Sequence, residues 1–204
     1  MKNFVVAGIG TGIGKTLISA ILTEALQADY WKPIQAGNLE HSDSHEVAAL
    51  ISNQHSRIHS EAYRLREPMS PHAAAHLEGI TIDEKKLTWP TSNNQLVVEL
   101  AGGIMVPINQ DCLNIDLLTQ WQKPVVIVSQ NYLGSINHTL LTVQALKQKD
   151  IQIAGIIFNG PNNQSSEDFI LSYTGLTCLA RIPQFDTINK TTVKQQAQHI
   201  LNKL

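Results

Sequence analysis

One run of nine residues, Gly8-Ile9-Gly10-Thr11-Gly12-Ile13-Gly14-Lys15-Thr16, constrains this chain more than any other. It follows a short apolar run, Phe4-Val5-Val6-Ala7. It opens a segment whose apolar positions recur at helical spacing: Leu17, Ile18, Ile21, Leu22, Ala25 and Leu26. Glycines lack the Cβ atoms that would keep backbone N–H groups from turning inward. A glycine-rich turn leading from a strand into a helix N-terminus is an anion cradle, because the free N–H groups and the helix dipole point the same way. Lys15 then supplies an ammonium for the β- and γ-phosphates, and Thr16 a hydroxyl for Mg²⁺. The spacing departs from the strict GxxxxGK[ST] pattern, with Ile9 at the first glycine position and Gly8 and Gly10 flanking it. A purine nucleotide with Mg²⁺ is the expected ligand.

The rest of the chain alternates two patterns. Residues 4–7, 96–100, 125–129, 153–158 and 178–182 are short, rich in Val and Ile, and apolar without strict alternation. Strands of a sheet covered on both faces read this way. Residues 30–32 are a shorter candidate. Helical periodicity marks residues 15–26 and 135–147, a shorter stretch 114–121 with Asn114 as its cap, and a tail 192–204 with Val193, Ala197, Ile200, Leu201 and Leu204 on one stripe. Asp43 is a candidate cap for a helix over residues 44–51. Strands alternating with helices predict an α/β fold with a mainly parallel sheet and helices on both faces. Ligands of such sheets sit outside the carboxyl ends of the strands.

A length of 204 residues suits one domain spanning 1–204. The formal charge is −2 and no Lys/Arg cluster exceeds Lys85-Lys86, which argues against a nucleic-acid or anionic-membrane surface. No apolar run approaches the ~18 residues of a membrane span. No signal-peptide pattern is expected at the start, and a cytoplasmic location follows as an expectation. Cys112 and Cys178 lie far apart and read as buried thiols of a reducing compartment. Three histidine pairs at i, i+4 (His41/His45, His55/His59, His72/His76) come with no third ligand and read as structural.

Other segments fall where loops after strands are expected: Trp31-Lys32-Pro33-Ile34-Gln35-Ala36-Gly37, Ser42-Asp43, Pro68-Met69-Ser70-Pro71-His72, Val98-Glu99-Leu100-Ala101-Gly102-Gly103, Leu133-Gly134-Ser135-Ile136-Asn137-His138-Thr139-Leu140-Leu141-Thr142 and Phe158-Asn159-Gly160. Lys32 is a second cation near the phosphate loop. Asp43 and Glu99 are carboxylates expected near the Thr16 hydroxyl, and Mg²⁺ takes one or two carboxylates beside phosphate oxygens and waters.

In this order, behind the phosphate loop, the segments resemble the dethiobiotin synthetase family, whose members have a P-loop NTPase fold. The resemblance runs from about residue 4 to residue 185. It implies a Mg²⁺- and ATP-dependent ligase that joins 7,8-diaminononanoate (7,8-diaminopelargonate) and CO₂ into the ureido ring of dethiobiotin in biotin synthesis. It also implies a homodimer with its active site at the subunit interface. Carried over residue by residue, it makes Lys15 and Lys32 catalytic. Thr16, Asp43 and Glu99 would hold the metal. ATP would meet Gly12, Ile13, Gly14, Lys15, Thr16, Leu17, Asp43, Glu99, Leu100, Ala101, Gly102, Asn159 and Pro183. The diamine would meet Thr11 and Ala36, with Gly134, Ser135, Ile136 and Asn137 of the partner subunit at its carboxylate tail.

Four positions depart from the family pattern. Ala36 replaces the usual Ser or Thr, Leu100 a frequent Gly, Gly160 a common Asp, and Tyr132 a frequent Lys. Kinases and switch ATPases also use such a loop. The partitioning ATPases carry an additional lysine at the position of Gly10, absent here.

Overall fold

The computed structural model describes residues 2–204. Its main sheet has seven strands in the order β4-β2-β6-β1-β7-β8-β9, every neighbouring pair parallel. These are β1 (Phe4–Gly8), β2 (Asp29–Trp31), β4 (Ile58–His59), β6 (Leu96–Gly103), β7 (Val125–Gln130), β8 (Ile153–Asn159) and β9 (Cys178–Ile182). Two further strands, β3 (Ile34–Ala36) and β5 (Tyr63–Leu65), pair separately, also in parallel. Successive strand side chains alternate faces, and the core divides accordingly. Val6, Tyr30, Val97, Val126 and Val128 pack under α1 (Lys15–Leu26), α2 (Asp43–Leu50) and α7 (Lys190–Leu201). Val5, Ala7, Trp31, Val98, Leu100 and Ile127 pack under α4 (Asn114–Trp121), α5 (Ser135–Gln148) and α6 (Gln164–Thr174). The α/β class, the parallel sheet and helices on both faces agree with the sequence expectation.

Helix α1 begins where the glycine loop ends. Gly14 takes φ +88° as its N-cap, a left-handed conformation, and a Cβ there would drive into the Asn159 carboxamide. Helix α7 docks through Val193, Ala197 and Ile200. Each fully buried Val or Ile stabilises by roughly 1.5–3 kcal/mol, enough to hold a tail helix whose other faces are polar. Leu201, expected on that stripe, is exposed.

Two expected caps are replaced. Ser42, not Asp43, caps α2: its side chain accepts from the His45 N–H, and His45 Nδ1 accepts from the Ser42 N–H. Asp43 is thereby freed for other contacts. Leu113 is the N-cap position of α4; Asn114 lies inside, donating to the carbonyls of Ala101 (2.7 Å) and Gly103 (2.9 Å). It clamps the turn after β6 instead of capping a helix. Helices α3 (Pro71–Leu77) and α6 and strands β3 and β5 were not expected. The strands are three residues long, α3 is a single alanine-rich stretch, and the first turn of α6 is wholly polar. Cys112 is buried and Cys178 half-buried, and both are free thiols.

Candidate active site

Strand register builds the site. Tyr30 pairs with Val97 and Trp31 with Val98, so one more step sets Lys32 beside Glu99. Period-two alternation puts Tyr30, Lys32, Val97 and Glu99 on the face covered by α1. Glu99 also pairs in register with Val6 of β1, one residue before the chain enters the glycine loop's approach. Thr16, in the first turn of α1, therefore comes down onto Glu99 and donates to its Oε1 at 3.1 Å.

Glu99 is 1 % exposed, and its two oxygens have different partners. Oε1 takes the Thr16 hydroxyl and the Lys32 ammonium at 3.0 Å, while Oε2 takes the Tyr30 hydroxyl at 2.9 Å. The Lys32 ammonium, also buried, pairs with Asp43 of α2 as well. Gln35 fixes the start of that helix, accepting from the Asp43 N–H at 3.2 Å while donating to the Gly37 carbonyl at 3.0 Å. Lys15 is folded over the loop, donating to the Gly10 carbonyl at 2.9 Å.

The two ammonium groups are tuned in opposite directions. Lys15 is brought from 10.5 to about 8 as the net of burial, which lowers it most, Glu99, which raises it, Lys32, which lowers it, and Asp43, which raises it. Burial would lower Lys32 too, but the adjoining Glu99 and Asp43 carboxylates more than offset it and hold it above its usual value. Lys32 is thus a fixed charge and Lys15 an adjustable one. The Tyr30 phenol lies well above 10, by burial first and then by Glu99 and Asp43, so it remains a donor. Glu46, one turn along α2 from Asp43, is raised by burial and by the Asp43 and Glu99 charges.

A cleft of about 680 Å³ opens over these groups at the carboxyl ends of β1, β2 and β6. Of the residues singled out from the sequence, Thr11, Gly12, Gly14, Lys15, Thr16, Leu17, Lys32, Ala36, Asp43, Glu99, Ala101, Gly102 and Asn159 line it. Ile13 and Leu100 are buried beneath it, and Leu100 faces the opposite core. Pro183 is exposed just beyond β9 and does not line the cleft. Gly134, Ser135, Ile136 and Asn137 start α5 on the far side of the glycine loop. A separate hollow of about 370 Å³ lies there, lined by Gly8, Gly10, Met105, His138 and Leu141, with Thr11 reaching both. Asn159 donates from Nδ2 to the Ile13 carbonyl at 2.9 Å, tying β8 to the phosphate loop.

Sequence reasoning missed Tyr30, Gln35, Glu46 and Ser70, all but the first of which line the cleft. Gln35 and Ser70 lay in segments already singled out. Tyr30 reads as strand filler and gives no signal of its own. Among the described residues no group of three or more His, Cys, Asp and Glu could hold a metal ion. His45 serves the α2 cap and His59 lies against Asp29, while His72 and His76 share a hollow with Asp83, Glu84 and Asp111. The donor set of the main cleft is all oxygen: one hydroxyl and two carboxylates. Such a set fits Mg²⁺, which completes its shell with phosphate oxygens and water. That one ammonium bridges both carboxylates shows that they can share a cation.

A glycine loop leaving the central strand of a parallel sheet, with its lysine folded back over the loop and its threonine on a carboxylate of the neighbouring strand, is the phosphate-binding architecture of P-loop ATPases. The family model described as AAA domain matches residues 2–192. The cell division ATPase MinD of Pyrococcus furiosus has the same fold, with a TM-score of 0.58 over 99% of both chains at 13% identity. Within that class the relatives are more particular. The chain is 50% identical over 198 residues to the ATP-dependent dethiobiotin synthetase of Cytophaga hutchinsonii, covering 97% of this chain and 96% of that one. To the same enzyme of Christiangramia forsetii it is 45% identical over 203 residues, covering 100% and 98%. The chain belongs to the dethiobiotin synthetase family. No described helix is long and apolar enough to cross a membrane.

Proposed function

We propose that the protein is an ATP-dependent dethiobiotin synthetase acting as a single ligase domain over residues 1–204. It joins 7,8-diaminononanoate and CO₂, at the expense of ATP, to give dethiobiotin, ADP and phosphate. The observation that carries this reading is the convergence of Lys15 and Lys32 over Glu99 and Asp43 in one cleft, in a chain of this family.

One amine of the substrate adds to CO₂ and loses a proton, giving a carbamate. A carbamate oxygen attacks the γ-phosphorus of ATP and ADP leaves, giving a mixed carbamic–phosphoric anhydride. The second amine attacks the carbamate carbon, closing the ring and expelling phosphate. Such a sequence needs positioning and charge compensation more than covalent help from the protein. Lys32, fixed as a cation, faces the carbamate and the transferring phosphoryl group. Lys15, near 8 in the free protein, is held protonated once a triphosphate supplies neighbouring negative charge. The loop around Gly12 and Gly14 offers N–H groups to the phosphates, and Asn159, which lines the cleft, would meet the adenine base. Mg²⁺, held by Thr16, Asp43 and Glu99, would neutralise phosphate oxygens. Ala36 presents a methyl where the family pattern has Ser or Thr, so the substrate would lose one polar contact on that wall. The start of α5 lies outside the cleft, and exposed Met105, Tyr132, Leu133 and Leu141 surround its approach. Both facts favour a homodimer in which residues 134–137 serve the neighbouring subunit.

The test is phosphate release measured with and without the diamine and bicarbonate. Release that needs both supports the ligase. ADP formed without free phosphate and indifferent to bicarbonate replaces it with a small-molecule kinase, and phosphate release indifferent to the diamine with a switch ATPase.

A further inference from the structure

We propose that Tyr30 is a positioning residue for Glu99, one of the residues that would hold Mg²⁺: its phenol occupies Oε2 and keeps Oε1 turned toward Thr16 and Lys32. Tyr30 is fully enclosed among the apolar side chains between β2 and α1. A phenylalanine or valine would fill such a strand position without a polar atom to satisfy. A buried tyrosine hydroxyl requires a partner, and this one donates to Glu99 Oε2 at 2.9 Å. The division of labour at Glu99 follows. Thr16 and Lys32 share Oε1, and among the described residues only the phenol takes Oε2. The two oxygens are equivalent, so a half-turn of the carboxylate changes nothing; what the phenol opposes is a partial rotation that would carry an oxygen away from Thr16 and Lys32. Outer partners of metal ligands act in this manner, fixing orientation without touching the ion.

The inference rests on Glu99 being a ligand of Mg²⁺, and the experiment separates the two. Mg²⁺ is titrated calorimetrically into protein saturated with a non-hydrolysable ATP analogue, for wild type, Tyr30→Phe, Glu99→Gln and the double variant. Tyr30→Phe should bind Mg²⁺ about tenfold more weakly, the lower end of the range for such partners, with analogue affinity in the absence of Mg²⁺ unchanged. In the Glu99→Gln background the same change should add nothing. Wild-type Mg²⁺ affinity in Tyr30→Phe, with affinity lost in Glu99→Gln, overturns the role of Tyr30 and leaves the site standing. So does an additive loss in the double variant. Unaltered affinity in Glu99→Gln overturns the ligand assignment and Tyr30 with it. A readout in the intact chain covers a variant that fails to fold. With 3-fluorotyrosine at all four tyrosines, and signals assigned by replacing Tyr63, Tyr132 and Tyr173, the Tyr30 resonance should move when Mg²⁺ joins the bound analogue. An unmoved signal also overturns the proposal.

Discussion

Strand β2 starts on one charged residue, Asp29, and runs directly into another, Lys32, and the protein treats the two ends differently. At the amino end, Asp29 is held by neutral donors and an imidazole: the Arg57 N–H at 3.0 Å, Ser92 Oγ at 2.7 Å, Asn94 Nδ2 at 3.2 Å and His59 Nε2 at 3.1 Å. A hollow of about 680 Å³ lies over it, as large as the cleft at the other end. Each Asp29 oxygen has two partners, which stitch β4 and the loop before β6 to β2. At the carboxyl end, Lys32 meets two carboxylates, and Glu99 meets a hydroxyl, a phenol and that lysine. Volume does not distinguish the hollows; the state of the charges does. Groups saturated by neighbouring backbone and neutral side chains stabilise the fold. Charges balanced mainly against one another can trade partners when a ligand arrives.

That contrast breaks first at Lys32. Lys32→Gln keeps a donor beside Glu99 but removes the cation. Turnover should fall about 10²–10³-fold, the cost of deleting one preorganised electrostatic donor, with the fold intact by circular dichroism. Near-wild-type phosphate release would remove Lys32 from the chemistry. The other end should respond in the opposite sense. Asp29→Asn cannot accept all four contacts and should lose about 1–3 kcal/mol of unfolding free energy in urea, while kcat stays at the wild-type level. A drop in kcat without loss of stability would show that the amino-end hollow is functional.

The two ends were not equally legible in the sequence. Helices α1 and α4 have the boundaries that their periodicity predicts, because the glycine loop fixes the start of the first and an amphipathic face of Ile115, Leu117, Leu118 and Trp121 defines the second. Lys32 and Glu99 stand out because charged residues in or just after apolar strands have no packing reason to be there, whereas Asp43 stands out only through the Ser42-Asp43 segment that the family resemblance picks out. What binds them is less visible. Tyr30 and Gln35 belong by type to a strand, and only the parallel register shows what they touch. Ser42 took the cap that Asp43 could have filled, a choice made by Gln35 and Lys32 from other elements. Asp29, just before the strand expected over residues 30–32, gives no signal in the sequence, because Ser92 and Asn94 lie more than sixty residues away. Separation in sequence hid both networks, and residue chemistry exposed only the one with unbalanced charge.

Thr16 tests the carboxyl end more finely. Thr16→Val keeps the shape and removes the hydroxyl shared with Glu99. Affinity for the Mg²⁺–nucleotide pair should fall about tenfold, or ~1.4 kcal/mol, by calorimetry. Unchanged affinity would leave Thr16 a structural donor only.

The smallest expected effect is a pH dependence that belongs to the structural end. Burial alone would raise the Asp29 carboxyl, but donation from Ser92, Arg57, His59 and Asn94 more than offsets it and holds the group below 3.8. Glu24, on α1, behaves alike: burial pushes it up, and Ser52 and Asn53 draw it below 4.5. A carboxylate whose folded value is depressed contributes stability that is fully present above its unfolded value. That contribution is lost as pH falls through the folded value. Unfolding free energy should therefore decline below about pH 4.5, and the gap between wild type and Asp29→Asn should narrow over the same interval. Lys15 does not interfere, since its displaced titration lies near 8. Urea unfolding of both proteins from pH 6 down to pH 3 measures the gap directly. A constant gap across that range would mean that Asp29 holds its four partners through geometry alone, with its charge contributing nothing.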